Sequence, residues 1–526
     1  MWEKIRLCVL VFPLIFLSAC KQKEGGEMKP KSIQINFQEG DLPTIHPQDT
    51  TIYLRGIGLA KALYEGLTRL DSQGNPELAG AVSVDISEDQ LHYTFHLREH
   101  LWSDGSPVTA FQYEASWKAL LSPTSTSPRA ELLYLLKNGE AAKKGLVSLD
   151  AVGVKALDVN TLEVELAYPS PYLFKLLAQP TCFPMADVSL KEPKLFNGAF
   201  TVDRWEKGET ISLKKNPYFW NQEKVNLDRI DVSVIQDLST VYRLYRENLL
   251  DWIGVPLCPM TIEQIKEMRQ SNQTQTHPVH RLFWVFLNVD HPLLASKDIR
   301  KAFALAANRK EITTHILLEG NPLLKPIPEV FLRAEDSGFL EEDRALAKEL
   351  FEKGLKELGI EREGLPPLVY KYAQQANRKQ LAEYLSQTWS ELFGIQVEPV
   401  LEEWNSLRTN LAKGNFEVCG GSYDAPFYGD PLELLERYTS KNINNYSQWT
   451  NPAYTDVIQE AKQEADPNRR VELLARAEKI LLDEMPIIPI CSDQFIFSHI
   501  PGLEGYVFDS VGAIDLTYSK LVSESQ

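Results

Sequence analysis

The segment "NFEVCGGSYDAPFYGDP", residues 415–431, sets one acid, Asp424, between a Gly-Gly pair and a run of aromatic and proline residues. An acid so placed has four uses: a catalytic proton carrier, a metal ligand, an anchor for a ligand's positive charge, or a plain loop residue. Catalysis and metal binding need companions. The chain has no G-x-S-x-G, no H-E-x-x-H, and no S-x-x-K accompanied by its partner motifs. The pair Glu402–Glu403 is adjacent in sequence, so on a regular element its carboxylates do not converge. His92, His96 and His100 are spaced four apart and would line one face of a helix. However, Leu91, Tyr93, Phe95 and Leu97 alternate with His92, Thr94, His96 and Arg98, which is the period of a half-buried strand. On a strand His92 and His96 stand ~13 Å apart, too far to share an ion. No catalytic residue, metal site or cofactor is expected from these patterns.

The elements that position Asp424 must come from a long chain. Its 526 residues suggest two to four domains, and 44% hydrophobic with 24% charged residues is the balance of a globular protein. The net charge of −17 disfavours nucleic acid, since phosphate binding needs a basic face and no Lys/Arg stripe with interleaved aromatics is present. The first twenty residues differ from the rest. "MWEKIR" is followed by the apolar run "LCVLVFPLIFL" and then by polar "SACKQKEGG". The run is about half of the ~20 residues that span a bilayer, which fits the core of an export signal. "LSAC", residues 17–20, resembles the bacterial lipobox, so cleavage would leave Cys20 as an N-terminus carrying fatty acyl chains such as palmitate. A plain signal peptide cut near Ala19 is the alternative. Residues 20–31 then form a tether, and the mature chain is anchored to a membrane rather than threaded through it. Cys182, Cys258, Cys419 and Cys491 remain; they permit two disulfides in any of three pairings, or four buried thiols.

Periodicity supplies the scaffold. Strands are expected at 32–37, 91–98, 152–169 (two), 208–215, 280–289, 366–374, 395–404 and 487–498. Helices are expected at 56–70, 109–120 with Thr109 as N-cap and Gln112 completing a capping box, 298–317, 377–394 and 468–486. Strand and helix alternate in both halves without a fixed repeat, which argues for α/β lobes with largely parallel sheets.

Several blocks carry a resemblance. "YEGLTRLDSQGNPELA" with "YTFHLREHLWSDGSPVTAFQYEASW", then "FNGAFTVDRWEKGETISLKKNPYFW", "FLNVDHPLLASKDIRKAFALAANRKEI", "NNYSQWTNPAYTDVI" and "EMPIIPI" stand in this order. Together they resemble the bacterial extracellular solute-binding proteins of the oligopeptide/dipeptide-binding family, with Asn308 where an aspartate is usual. The resemblance implies an α/β, two-lobed periplasmic-binding-protein-like II fold with a hinge and an additional inserted domain. Mapped here, residues 1–19 are the signal peptide, 30–63, 190–279 and 491–526 lobe I, 64–189 the additional domain, and 280–490 lobe II. It implies a monomer that binds an oligopeptide between its lobes and delivers it to the permease subunits of an ABC importer. Dipeptides, cell-wall peptides, haem or nickel complexes are the alternative cargoes.

In that family an aspartate ahead of an Asp/Glu-Pro pair holds the peptide's ammonium group. Asp430-Pro431 fits the pair, but a gap-free count puts Phe427 where the aspartate belongs, with Asp424 three residues earlier. Asp424 is therefore either a displaced anchor or a loop acid. Tyr423 and Trp404 are the aromatic candidates for the cleft, with core packing the other reading of Trp404. Gly420, Gly421 and Ser422 would let a ligand's backbone come close. Trp102 reads as a packing residue.

Overall fold

Alternating apolar residues build the first sheet, in which Ser32–Asn36 pairs parallel with Arg229–Ser233, followed by antiparallel Thr210–Lys215 and Phe200–Glu206. The computed structural model describes residues 31–526 except 319, 329–331, 333–340, 374–377, 425, 441, 443 and 523–526, and only the backbone path of 421–424. Residues 1–30, with Cys20, lie outside the described residues. Helix Leu54–Leu63 packs into the first core through Ile57, Leu59 and Leu63. It ends seven residues before the expected limit. The turn "DSQGN" draws its flanks into a hairpin, pairing Thr68–Leu70 with Pro76–Leu78. Asp71 holds that turn by accepting from the Gln73 and Asn75 amides.

The histidine segment is a strand, His92–Leu97, with Tyr93, Phe95 and Leu97 inward. It lies in an antiparallel sheet ordered Ala81–Ile86, His92–Leu97, Thr161–Glu165, Val154–Ala156. Helix Ala110–Leu120 carries the expected Thr109/Gln112 capping box, and Trp102, fully buried, donates to Gln112 Oε1 at 3.1 Å. This sheet and the first share one hydrophobic core. The C-terminal segment joins the same core: Lys61 Nζ meets Asp509 at 2.5 Å, both side chains buried, and Asp509 also accepts from the Val511 and Ala513 amides.

The largest sheet has the order Trp252–Gly254, Ile487–His499, Gln275–Leu287, Val418–Asp424, Leu368–Ala373, Val397–Glu402, with Asn321–Pro322 beside Ile487–His499. Phe283, Val285 and Leu287 face one core, with Phe303 and Trp389, while Leu282, Trp284 and Phe286 face another, with Tyr438 and Tyr454. The apolar run "LFWVFL" is thus a strand buried on both sides. The expectation of largely parallel sheets is corrected. Among the described sheets only Ser32–Asn36 with Arg229–Ser233 and Leu368–Ala373 with its two neighbours are parallel. Sequence-adjacent Phe200–Glu206 and Thr210–Lys215 pair antiparallel, and the two longest strands enter the large sheet from opposite ends. The helix expected over 298–317 is interrupted. Lys297–Leu305 ends at Ala306, and Asn308 restarts the coil by accepting from the Glu311 amide at 2.8 Å. Helix Arg378–Phe393 stops at Gly394, whose φ of +65° is left-handed.

Cys182, Cys258, Cys419 and Cys491 are buried and none is joined in a disulfide, so the disulfide alternative gives way to that of four thiols. Cys419 and Cys491 face different cores of the large sheet. Burial raises the thiol pKa values of Cys182, Cys258 and Cys419, that of Cys258 to about 12, which keeps them protonated.

Glu65 is 6% exposed and lies where the helix, the hairpin and the C-terminal segment meet. Burial pushes its carboxyl up to about 7, against a hydrogen bond from Trp220 Nε1 and the charges of Arg69 and Arg98. The folded protein therefore holds a proton that the unfolded chain releases near pH 4.5, so Glu65 makes stability fall as pH rises from about 4.5 to about 7. Buried His100 acts oppositely: burial lowers its pKa to about 4, so its contribution is lost as pH falls from 6.5. Glu65→Gln should remove the Glu65 slope alone. Urea unfolding at a series of pH values should show wild type gaining up to about 3 kcal/mol relative to the variant between pH 7 and pH 4.5. A constant difference would refute the assignment.

Candidate functional site: the strand crossover

Two strands connect the cores. Gln275–Leu287 and Ile487–His499 pair antiparallel from Gln275↔Phe497 to Phe286↔Ile487. Val279, Phe495 and Phe497 belong to the first core, while Leu282, Phe283, Ile487, Ile488 and Cys491 belong to the other two. The cores therefore part between Val279 and Leu282 on one strand and between Cys491 and Phe495 on the other. The register shifts between Pro278 and Leu282, at the same place. Pro278 has no amide hydrogen to give the ladder, so the irregularity has a covalent cause.

The residues at this crossover are charged. Arg281 Nε stands 3.3 Å from Asp493 Oδ2. The Arg378 guanidinium lies over the Phe283 ring at 4.1 Å and that of Arg281 over Phe495 at 5.6 Å. Asp493 is buried, which raises its pKa against the pull of Arg281 and Arg378. His280, half-buried, is pushed down to about 4 by burial first and then by His277 and Lys175, so it is neutral at pH 7. Among the described residues the crossover brings Arg281 and Arg378 near buried Asp493, and Lys175 near His280. Among the described residues no group of three or more His, Cys, Asp or Glu is arranged to hold a metal ion.

The sequence candidates approach this place through backbone pairing. Val418–Asp424 runs antiparallel to Gln275–Leu287, with Asp424 opposite Leu282, Tyr423 opposite Phe283 and Gly420 opposite Val285 across a bulge. The side chains of Ser422, Tyr423 and Asp424, and the surroundings of Gly421, lie outside the described residues. Gly420 has its own reason to be glycine: a Cβ there would stand 2.7 Å from Tyr370 Oη. Trp404 opens helix Trp404–Lys413 and is 36% exposed, so it is not a core residue. It follows the edge strand Val397–Glu402, and Leu368–Ala373 separates that edge from Val418–Asp424.

Residues 426–430 fix the far end of the segment. Asp430 receives both Arg470 Nη atoms, at 2.8 and 2.9 Å, and caps the next helix by accepting from the Leu432 amide. Phe427, at the gap-free position of the family aspartate, is buried among residues of the first core beneath the Arg129 guanidinium at 4.0 Å.

Residues 75–446 match the family described as bacterial extracellular solute-binding proteins, family 5, middle. The chain belongs to this family. It is 31% identical to the oligopeptide-binding protein OppA of Bacillus subtilis over 98% of both chains, and 26% identical to the periplasmic murein peptide-binding protein MppA of Escherichia coli over 98% of both. A crystal structure of the substrate-binding domain of an oligopeptide ABC transporter from Bacillus anthracis superposes with a TM-score of 0.77 at 26% identity, covering 94% of this chain and 99% of that one. The two-lobed fold expected from the sequence blocks is that of this solute-binding family.

Sequence reasoning missed Arg281, Arg378, Asp493 and the contacts of Phe427. A signal existed for two of them. Arg281 and Asp493 interrupt the apolar strands "HRLFWVFL" and "IIPICSDQFIF", where a charge is costly unless it is paired or used. Asp430 yields a direct test. With side chains 9% and 7% exposed, Asp430 and Arg470 form a buried pair. Asp430→Ala should cost about 3–5 kcal/mol by leaving Arg470 uncompensated. Urea denaturation measures it, and a loss below about 1 kcal/mol would contradict the role given to the pair.

Proposed function

We propose that this solute-binding protein is the cargo-capturing component of an ABC-type importer, closing its lobes over an extended oligopeptide and passing it to the permease subunits. The observation that carries this is the alignment with the Bacillus subtilis oligopeptide-binding protein along nearly the whole of both chains. An extended peptide has a row of unpaired N–H and C=O groups that a closed cleft must satisfy, and pairing them with backbone reads no side chains. Its terminal charges are its constant features. Asp424, backbone-paired opposite Leu282, is our candidate for the ammonium end. Tyr423, Ser422, Gly421, Gly420 and Trp404 remain secondary candidates.

The parting of the cores between Val279 and Leu282 supports a hinge crossing at 279/280, and that between Cys491 and Phe495 puts the second crossing just beyond 490/491, within lobes I (30–63, 190–279 and 491–526) and II (280–490) as read from the sequence. Residues 64–189 form the additional domain in this reading, sharing the lobe I core. We assign residues 1–19 to an export signal and Cys20 to lipid attachment, so that the monomer is held at the outer face of a bacterial membrane as a binder without enzymatic activity. No described helix is long and apolar enough to cross a membrane.

A second reading, a cell-wall peptide as cargo, is favoured by Phe427 standing at the aspartate position and by the likeness to the murein peptide-binding protein. Native mass spectrometry of protein purified from its own host weighs the cargo directly. Calorimetry with alanine peptides of graded length and with murein tripeptide separates the two readings. Asp424→Asn should weaken binding of the preferred peptide at least about tenfold, a loss of about 1.4 kcal/mol, with little change in thermal stability. Unchanged affinity would remove Asp424 as anchor while leaving the family standing.

A further inference from the structure

Phe427 and Tyr428 stand between the first core and the third, and one acid stands behind them. Phe427 follows the Val418–Asp424 strand, yet its ring is buried in the first core, under Arg129. Its carbonyl accepts from Gln179 Nε2 at 3.1 Å and from Ser510 Oγ at 2.8 Å. Tyr172 precedes helix Leu173–Leu177 of the first core, is itself buried in the third, and stacks on Tyr428 at 4.2 Å and 18°. The acid is Glu433, on helix Pro431–Leu435, which is partly buried. Its carboxylate accepts from the Phe427 amide and, at 3.4 Å, from the Tyr428 amide. Two cations act on it from different elements. Arg437 lies one helical turn further on, and Arg129 precedes Ala130–Leu133, whose Ala130, Leu132 and Leu133 lie in the first core. The neighbouring ionisable groups are otherwise engaged or neutral. Arg129 meets Glu131 at 3.5 Å, Asp430 is held by Arg470, and burial raises the hydroxyl pKa values of Tyr172 and Tyr428.

We propose that Glu433 takes up a proton when the lobes close over cargo, so that capture tightens as the surroundings become more acidic. The proposal rests on the reading of two lobes that close over a ligand. The first-core groups that cover Phe427 and Tyr428 withdraw when the lobes part, and water then reaches the Glu433 carboxyl. Closure removes that water and brings Arg129 near, two influences of opposite sign on the proton. Burial is the larger. It pushes the carboxyl from 4.5 up to about 7, against the amides of Phe427 and Tyr428 and the charges of Arg437 and Arg129. A group whose pKa rises on closure binds a proton as it closes. Its contribution to affinity is therefore complete below pH 4.5 and is lost as pH rises through about 7. Glu65 titrates in the same range, but Trp220, Arg69 and Arg98 around it lie on its own side of the cleft in this reading, so closure leaves it unchanged. Asp493 at the crossover is also raised by burial, which makes a variant at Glu433 the deciding comparison.

Calorimetry of the full chain with a pool of tri- to penta-alanine, in two buffers of different ionisation enthalpy, counts the protons exchanged on binding. Glu433 should contribute an uptake of about half a proton at pH 7, and wild type should bind about tenfold or more weaker at pH 8 than at pH 5.5. Glu433→Gln keeps an acceptor for the amides but cannot titrate. It should lose that half proton and show a much flatter affinity profile. Arg129→Gln removes a cation that opposes burial, so its uptake at pH 7 should exceed that of wild type. Equal uptake by wild type and Glu433→Gln would overturn the proposal. Should Glu433→Gln fail to fold, Arg129→Gln decides, and an uptake no greater than wild type would overturn it. Alanine peptides that bind none of the proteins would count against the peptide reading instead. The cargo that co-purifies from the host then carries the test. By native mass spectrometry wild type should keep more of it after dialysis at pH 5.5 than at pH 8, and Glu433→Gln the same share at both. Equal retention by wild type at the two pH values would overturn the role of Glu433.

Discussion

The rest of the structure depends on the main-chain pairing of Gln275–Leu287 with Ile487–His499. Each strand is long enough to serve the first core at one end and the two faces of the large sheet at the other. Backbone hydrogen bonds are indifferent to which core a side chain joins, so one ladder can cross between cores without leaving polar groups unpaired. The register slips only at Pro278–Leu282 and at Phe283–Trp284. The first slip lies where the hydrophobic contacts change partners, and so where bending costs the least packing. Mechanical freedom and the charged residues Arg281 and Asp493 therefore occupy the same short stretch.

Buried charge is handled differently from place to place. Asp430 and Arg470 satisfy one another through two hydrogen bonds, and Lys61 and Asp509 through one together with backbone amides. Glu65 has a hydrogen bond from Trp220, but Arg69 is 4.0 Å away and engaged with Glu77 at 2.6 Å. Desolvation then outweighs attraction, and the carboxyl titrates near neutrality. At the crossover Asp493 is buried beside Arg281 and within reach of the charge of Arg378, and burial still raises its pKa.

The strands and most helices were legible because period-two and helical patterns survive in "LHYTFHL", "LFWVFL" and "NRKQLAEYLSQTWSELFG", and because Thr109/Gln112 and Gly394 mark ends. Helix interiors were misjudged where local propensity met tertiary demands. Asn308 broke a run that reads as continuous helix, and a turn near Asp71 claimed Thr68–Leu70 from the preceding helix. Strand direction was invisible, since it depends on where the chain returns rather than on which residues are apolar. Of the candidate site, the sequence offered 420–424, whose backbone pairs with Gln275–Leu287, and an aspartate three residues from the family position. It gave no hint that Phe427 and Tyr172 change cores, because burial in another half's interior leaves the same apolar signature as burial in one's own.

The pairing of Lys61 with Asp509 has a bearing on how the polypeptide is made. The two residues lie 448 positions apart, and Ser32–Asn36 must likewise await Arg229–Ser233 for its neighbour. A ribosome delivers the N-terminal helix long before its buried counter-ion exists, so the first core stays unfinished until the last few dozen residues emerge. The large sheet waits almost as long, since its interior strand Ile487–His499 is among the last to emerge. A translation product that stops short of this strand leaves all the cores unfinished and open to proteases and to holding chaperones.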